Sequence, residues 1–292
     1  MKLYNDYSSY LKERYGSKVY RVGLDAGFSC PDTCAYCNGS GSRSAYADPE
    51  EPVEKQLSDR MAYLKKAKGA SKFIAYFQAF TNTNSPVERL KDTYDRVLPF
   101  NEIVGLSIGT RPDCVDEDKL SLIASYAHKY EVWLEYGLQS IHDRTLETIG
   151  RGHDFNDFLR AYSLTKKFPI SVCAHVILGL PGETKEDMIA TARKLTKLKV
   201  DGVKIHLLHI LRGSRFEKLY NDGLIRVLEQ DEYVEIVCDF LENLSGDIII
   251  QRLTGQGTGE EHIAPAWALE KLGTIRKIEE TLRKRGSYQG IR

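Results

Sequence analysis

Cys30-Pro31-Asp32-Thr33-Cys34-Ala35-Tyr36-Cys37 is the stretch on which the reading of this chain turns. Three cysteines stand in eight residues, separated by three positions and then by two, after an apolar run over residues 19–28. So short a loop can turn three sulfurs toward one point, as an iron–sulfur cluster requires of its thiolate ligands. A structural zinc would need a fourth protein ligand. None is near, because the next cysteine is Cys114 and the first histidine is His128. Three thiolates on a four-iron cluster leave one iron open to a ligand from outside the chain. Three unrelated thiols, buried or disulfide-bonded, are the alternative that cysteine counting leaves standing.

Outward from the loop, the chain alternates. Residues 1–16 read as a polar-aromatic helix and 17–28 as a strand, while Gly39, Ser40, Gly41, Ser42 and Ser44 read as a flexible loop. A helix over 53–66 carries Leu57, Met61 and Leu64 on one stripe. The aromatic and branched content of 72–78 reads as a strand. Ser85 and Pro86 open the next helix as N-cap and first-turn proline. Strands at 103–108, 132–138, 170–178 and 202–210 alternate with helices at 116–128, 155–167 and 184–198. Helices near 214–222 and 229–243, a late strand at 248–253 and a final helix over 264–284 complete the chain.

Strand–helix units in this order imply a parallel sheet with right-handed crossovers. The strands are almost continuously apolar, which suits a sheet covered on both faces. Six such units are too few for the full eight-unit barrel. With 292 residues, no internal repeat and no linker, a single domain over 1–292 is expected.

On the CxxxCxxC loop at the end of the first strand, and on Tyr36 just before its third cysteine, the chain resembles the radical S-adenosylmethionine superfamily. Within it, the likeness is to the branch of oxygen-independent coproporphyrinogen oxidase and the radical domain of the elongator acetyltransferase. Bacterial proteins called Fe–S oxidoreductases are similar as well. The resemblance implies an α/β fold, a partial (β/α)6 barrel over about 17–212, with a C-terminal helical and strand extension over about 213–292. It implies a [4Fe–4S] cluster on Cys30, Cys34 and Cys37, its open iron chelated by the amino and carboxylate groups of S-adenosylmethionine. Reduction of that pair yields a 5′-deoxyadenosyl radical that abstracts hydrogen from substrate. A flavodoxin- or ferredoxin-like low-potential one-electron donor is implied as partner.

Ligands of parallel α/β folds gather at the carboxyl ends of strands, so each strand end is informative. After the second strand, Gln78, Ala79 and Thr81 match the stretch that offers backbone groups to the amino end of the cofactor's methionine. After the third, Thr110-Arg111-Pro112-Asp113 matches a motif of the branch. Its Arg111 suits a carboxylate or phosphate, or else an ion pair with Asp113 or Asp116. Gln139 matches a ribose contact and Arg151 a contact to the cofactor carboxylate. Glu135 shares the face of Gly137 and Gln139 by the period of two, near the cofactor or in a structural ion pair. His175, inside an apolar strand, matches a ribose-binding position or is a satisfied core residue. The turn Gly179-Leu180-Pro181-Gly182-Glu183-Thr184 matches one that approaches the adenine, and Thr184 with Asp187 forms a capping-box pattern. Lys204, His206 and His209 stand where substrate would be met.

Composition sets the outer bounds. Apolar residues at 42% and charged residues at 28% give a globular balance, and no apolar stretch reaches the ~20 residues of a membrane span. The polar start carries no secretory signal, and cysteines clustered as ligands belong in a reducing cytoplasm. Cys114, Cys173 and Cys238 read as buried bystanders. Lys+Arg and Asp+Glu both number 41, so no global field recruits nucleic acid. Residues 271–292, however, hold seven basic residues against Glu279 and Glu280. An apolar stripe of Leu272, Ile275, Ile278 and Leu282 would dock this helix and leave its arginines outward. Two substrate classes follow: a tRNA base, above all a wobble-uridine side chain, or a small tetrapyrrole-like acid. A non-enzymatic iron–sulfur carrier or redox sensor would use the same cysteines, but it needs no ribose or methionine site.

Overall fold

The computed structural model describes residues 2–39, 43–255, 259 and 261–292. Ser40, Gly41 and Ser42 of the expected loop therefore lie outside the described residues. The chain opens with α1 (Tyr7–Tyr15), where Asp6 accepts a hydrogen bond from the Ser9 amide and Gly16 closes the helix in the left-handed region. Next comes β1 (Val19–Leu24) and, beyond the cysteine loop, α2 (Val53–Lys68) and β2 (Lys72–Phe77). The alternation continues through α3 (Val87–Asp95), β3 (Ile103–Thr110), α4 (Glu117–Ser125) and β4 (Glu131–Gln139). It runs on through α5 (Asp143–Thr148), α6 (Phe155–Thr165), β5 (Ser171–Leu178), α7 (Lys185–Leu198) and β6 (Gly202–Leu207). The C-terminal part holds β7 (Ile210–Leu211), α8 (Arg215–Asn221), α9 (Gln230–Glu242), β8 (Ile249–Arg252), β9 (His262–Ala264) and α10 (Lys271–Lys284).

Six strands and β8 form one seven-stranded sheet in the order β1-β2-β3-β4-β5-β6-β8, and every neighbouring pair is parallel. This is the partial barrel expected, with the late strand extending its edge. On the outer face, Val22, Phe73, Leu106, Val132, Val172 and Val203 are sealed against the helices. Helix α2 shows how: Leu57, Met61 and Leu64 face inward at helical spacing, each contributing roughly 1.5–3 kcal/mol by leaving water. The inner face is apolar only at its floor, where Ile74, Trp133, Cys173 and Ile249 meet Tyr7 and Leu11 of α1.

Local corrections have local causes. Ser85 does not cap α3; Pro86 occupies the N-cap position, with no side-chain hydrogen bond. The sixth strand ends at Leu207, and Ile210–Leu211 turns away to pair antiparallel with His262–Ala264. The last helix starts at Lys271 rather than 264, because the preceding residues are spent on β9 and a 3-10 turn over Ala266–Leu269.

The tail differs most from expectation. Ile278 and Leu282 are buried as foreseen, but Leu272 is 74% exposed. The arginines do not face outward as a free patch. Arg285 binds Asp239 and Glu242 at 2.9 Å each and also Glu235, while Arg283 binds Glu279 at 3.2 Å. Lys277 reaches Asp231 and Arg292 reaches Glu242, both at 3.0 Å. The acidic face of α9 engages Lys277, Arg285 and Arg292, so these cations offer phosphate little free charge, while among the described residues Lys271, Arg276 and Lys284 carry no ion pair.

Candidate active site

The cysteine loop is held by the backbone of elements far away in sequence. The Ala35 amide donates to Ile149 O at 2.8 Å, and the Phe216 amide donates to Ala35 O at 3.0 Å, which ties the loop to the end of α5 and the start of α8. At its near end, Asn84 donates to Ser29 O at 3.1 Å, and Cys30 Sγ lies 3.1 Å from Thr81 Oγ1. Cys34 is buried while Cys30 and Cys37 are partly exposed. The Cys37 thiol donating to it, with the Arg151 guanidinium 3.2 Å away, pulls the Cys34 thiol down to about 5. That favours the thiolate, the form that ligates iron.

At the ends of β2 and β3 the structure reveals two braces. Asn82, fully buried, donates from Nδ2 to the carbonyls of Phe77, Ala79 and Gly109 at 2.9–3.1 Å, fixing the turn that carries Gln78, Ala79 and Thr81. Arg111, 1% exposed, directs Nε and Nη2 at both oxygens of Asp113 (2.8 and 2.6 Å) and Nη1 at Asp32 Oδ2 at 3.1 Å. The face of the fork formed by Nε and Nη2 is thus taken by Asp113, while Nη1 keeps an ion pair but no hydrogen bond. Arg111 instead pins Asp32, between the first two cysteines, to the end of β3. In its ion pair with Asp113 the guanidinium is buried while the carboxylate reaches the surface.

Arg151 needs a glycine beneath it. Its Nε and Nη2 donate to Gly137 O at 3.2 and 2.9 Å, and a Cβ on Gly137 would collide with the guanidinium. Gln139 ends β4 with φ of 69°, a left-handed conformation unusual outside glycine, at a shift in the β4–β5 register. Its Nε2 still faces the Gly137 side, as the period of two predicts.

Glu135 is not free for a cofactor. It is fully buried, accepts from Arg21 at 2.7 Å, lies 2.9 Å from His175 Nε2 and pairs with Lys204. Its carboxyl is held well below the usual range, since Arg21, Lys204 and His175 offset the cost of burial. Burial pushes Lys204 down to about 7, and His175 and His209 each down to about 4. For both histidines the folded state prefers the neutral ring. Their stabilisation is therefore present above pH 6.5 and is lost as pH falls through 6.5 toward 4. Urea unfolding across this window is expected to show that loss; a flat profile would contradict the enclosure of these rings.

The Gly179-to-Glu183 turn borders a cleft of about 200 Å³ whose other wall includes Leu224, Arg226 and Leu228. Leu228 packs so closely on Gly179 (φ 84°) that a Cβ there would overlap it. Thr184 and Asp187 form the capping box foreseen.

The donor set fits an iron–sulfur cluster better than a single ion. Cys30 leans on Thr81 while Cys34 and Cys37 pair with each other, yet the charge of both other thiols reaches Cys37. Among the described residues, no three Cys, His, Asp or Glu side chains could hold one metal ion. Three thiols on one short loop, and no further ligand beside them among the described residues, suit a cluster that takes three protein thiolates.

The sequence matches the Radical SAM superfamily over residues 26–195 and the Radical_SAM C-terminal domain over 200–284. The chain belongs to the radical SAM superfamily. This radical SAM protein is 40% identical to protein MJ0486 of Methanocaldococcus jannaschii over 99% of its own length and 92% of that protein. It is 39% identical to YtqA of Bacillus subtilis, with the same coverage, and 34% identical to YhcC of Escherichia coli over 98% of this chain and 94% of that one. In fold it is similar to Elp3 of Methanocaldococcus infernus, at a TM-score of 0.71 and 18% identity over 93% of this chain and 64% of that one. Methylornithine synthase is similar at a TM-score of 0.55 and 13% identity, over 95% and 85%. As a radical SAM enzyme the protein uses a [4Fe–4S] cluster and S-adenosylmethionine. Among the described residues, no helix is long and apolar enough to cross a membrane.

Spacing pointed to the cysteines, and matched motifs pointed to Arg151, Gln139 and His175. Asp32, Asn82 and Arg21 went unmarked, because the partners that give them meaning lie 79, 27 and 114 positions away.

Proposed function

We propose that this radical SAM enzyme abstracts hydrogen from a substrate held inside the half-barrel, next to a cofactor seated between the cysteine loop and β4. Arg151 carries the reading: a buried guanidinium 3.2 Å from Cys34 Sγ sets a positive charge beside the cysteine loop, which suits a cofactor carboxylate. Gln139 and His175 would meet the ribose, with His175 Nε2 committed to Glu135 and Nδ1 left for the hydroxyl. The turn at Gln78, Ala79 and Thr81 would receive the amino end, and the cleft at 179–183 the adenine. When bound, the two cofactors supply a primary carbon radical. The chain holds them in line and excludes water.

The binding roles have a direct test. Arg151→Ala is expected to weaken S-adenosylmethionine binding by about 2–5 kcal/mol, as loss of a buried charged partner does. His175→Ala is expected to cost only about 1 kcal/mol, the worth of a neutral hydrogen bond. Calorimetry on the reconstituted protein reads both, and unchanged affinity in the two variants would remove these assignments.

For substrate we carry forward a tRNA wobble-uridine side chain, on the likeness to the elongator branch, with a flavodoxin- or ferredoxin-like reductant. The paired arginines of the tail lend this no support, so recognition would rest on the barrel interior. Mass spectrometry of tRNA and small-molecule pools from cells with and without the gene decides between the two substrate classes.

A further inference from the structure

We infer that Arg252, Lys271 and His206 form a subsite in the barrel that takes one anionic group of the substrate, a carboxylate or a phosphate. The inference rests on the reading that substrate enters the half-barrel, and it names the charge that this substrate carries.

The interior holds more buried cation than it can balance. Arg21, Lys204 and Arg252 stand on β1, β6 and β8, and Glu135 is the carboxylate whose field reaches Arg252. That carboxylate is already engaged by Arg21, His175 and Lys204. Arg252 is paired in register with Lys204 and keeps only partial exposure, and among the described residues no hydrogen bond or ion pair serves its guanidinium. A partly exposed guanidinium without a protein acceptor keeps its donors free for a ligand.

Two neighbours point at the same need. Lys271 feels the charge of Arg252 and, among the described residues, likewise has no ion pair. It is the first residue of α10, a fourteen-residue helix with no side-chain cap and no acidic residue in its first turn. A lysine at the positive end of a helix is misplaced unless an anion accompanies it. The carboxylate of Glu270, just before that turn, is exposed and lies over Gly273. On the other side, His206 Nε2 is fully enclosed with no hydrogen-bond partner, and its ring sits 5.6 Å from that of His175. His206 lies two residues beyond Lys204, the register partner of Arg252, so ring and guanidinium share the inner face of the sheet. The planar fork of an arginine matches carboxylate and phosphate in two-point geometry. An anion bound here would put the substrate's charged end on β8 and turn the remainder toward the cysteine loop.

The test uses the anaerobically reconstituted full chain, with sodium acetate and inorganic phosphate as separate probes at constant ionic strength in chloride. Thermal shift and calorimetry are expected to show saturable binding of at least one probe, and the stronger one tells which anion the site takes. Arg252→Gln and Lys271→Gln should each weaken that binding about tenfold or more, roughly 1.4 kcal/mol, with S-adenosylmethionine affinity and brown absorbance kept. Lys271→Gln lies at a partly exposed helix start, so it reports even should Arg252→Gln fold poorly. Absence of binding by either probe, or equal affinity in the Lys271→Gln variant, overturns the subsite. A parent protein that binds acetate or phosphate but never acquires brown absorbance would instead strike the radical SAM reading.

Discussion

Alanine at Cys30, Cys34 or Cys37 is expected to abolish the brown charge-transfer absorbance and all cleavage of S-adenosylmethionine. Iron should fall from roughly four per chain to a small fraction, since a cluster that loses one of three protein thiolates is exposed on two irons. The same change at Cys114, Cys173 or Cys238 should leave the iron count in place. Cys173 lies in the apolar floor with Trp133, and Cys238 donates to Ile278 O beneath α10, both away from the loop. Cys114 is the sharper control. It is buried at the end of β3 and feels the charge of Cys30, yet its thiol is pushed up to about 11, chiefly by burial. Loss of iron in the Cys114 variant would mean that the ligand set is misassigned.

The second large effect belongs to Glu135→Ala. Removing this carboxylate strands Lys204 in a fully enclosed site and Arg21 in a half-buried one, and breaking a buried pair from one side costs about 3–5 kcal/mol. Urea unfolding reads that loss directly. The double variant Glu135→Ala, Lys204→Met should be less destabilised than the single one, because one of the stranded cations is gone. A single variant within about 1 kcal/mol of the parent would show that water already reaches the network. Glu135 is thus a keystone of the fold, a part that a fully buried carboxylate can fill only when cations surround it.

Much of this was legible because strands buried on both faces advertise themselves as apolar runs, and crossovers are right-handed by geometry. The seven-stranded sheet follows from that pattern, and the cysteine loop follows from spacing alone. Charge was harder. Arg111 reads as an open fork until Asp32 and Asp113 are seen to pair with it, and Arg285 reads as a free cation until α9 brings up Glu235, Asp239 and Glu242. A sequence shows how many charges there are but not which ones share a wall. The same holds for Arg21, Lys204 and Arg252, which sit on three strands and meet only when the sheet curls. The start of α10 was misplaced for another reason: residues 264–269 have helical composition, and only the pairing of β9 with β7 shows where they go.

The two edge strands are laced together across the open side of the sheet. Arg21 on β1 donates to Gln251 on β8 at 2.5 Å, over 230 positions of chain, and Asp6 bridges to Ile250 beside it. On the ribosome this sets a timetable. At about 5–20 residues per second, β8 emerges roughly 10–50 seconds after β1. Until then Arg21 lacks this partner, and the loop bearing the cysteines lacks Phe216 for about as long. Iron supplied to the nascent chain would meet cysteines in an unfinished frame, so cluster loading belongs after release, when the last strand has closed over the first.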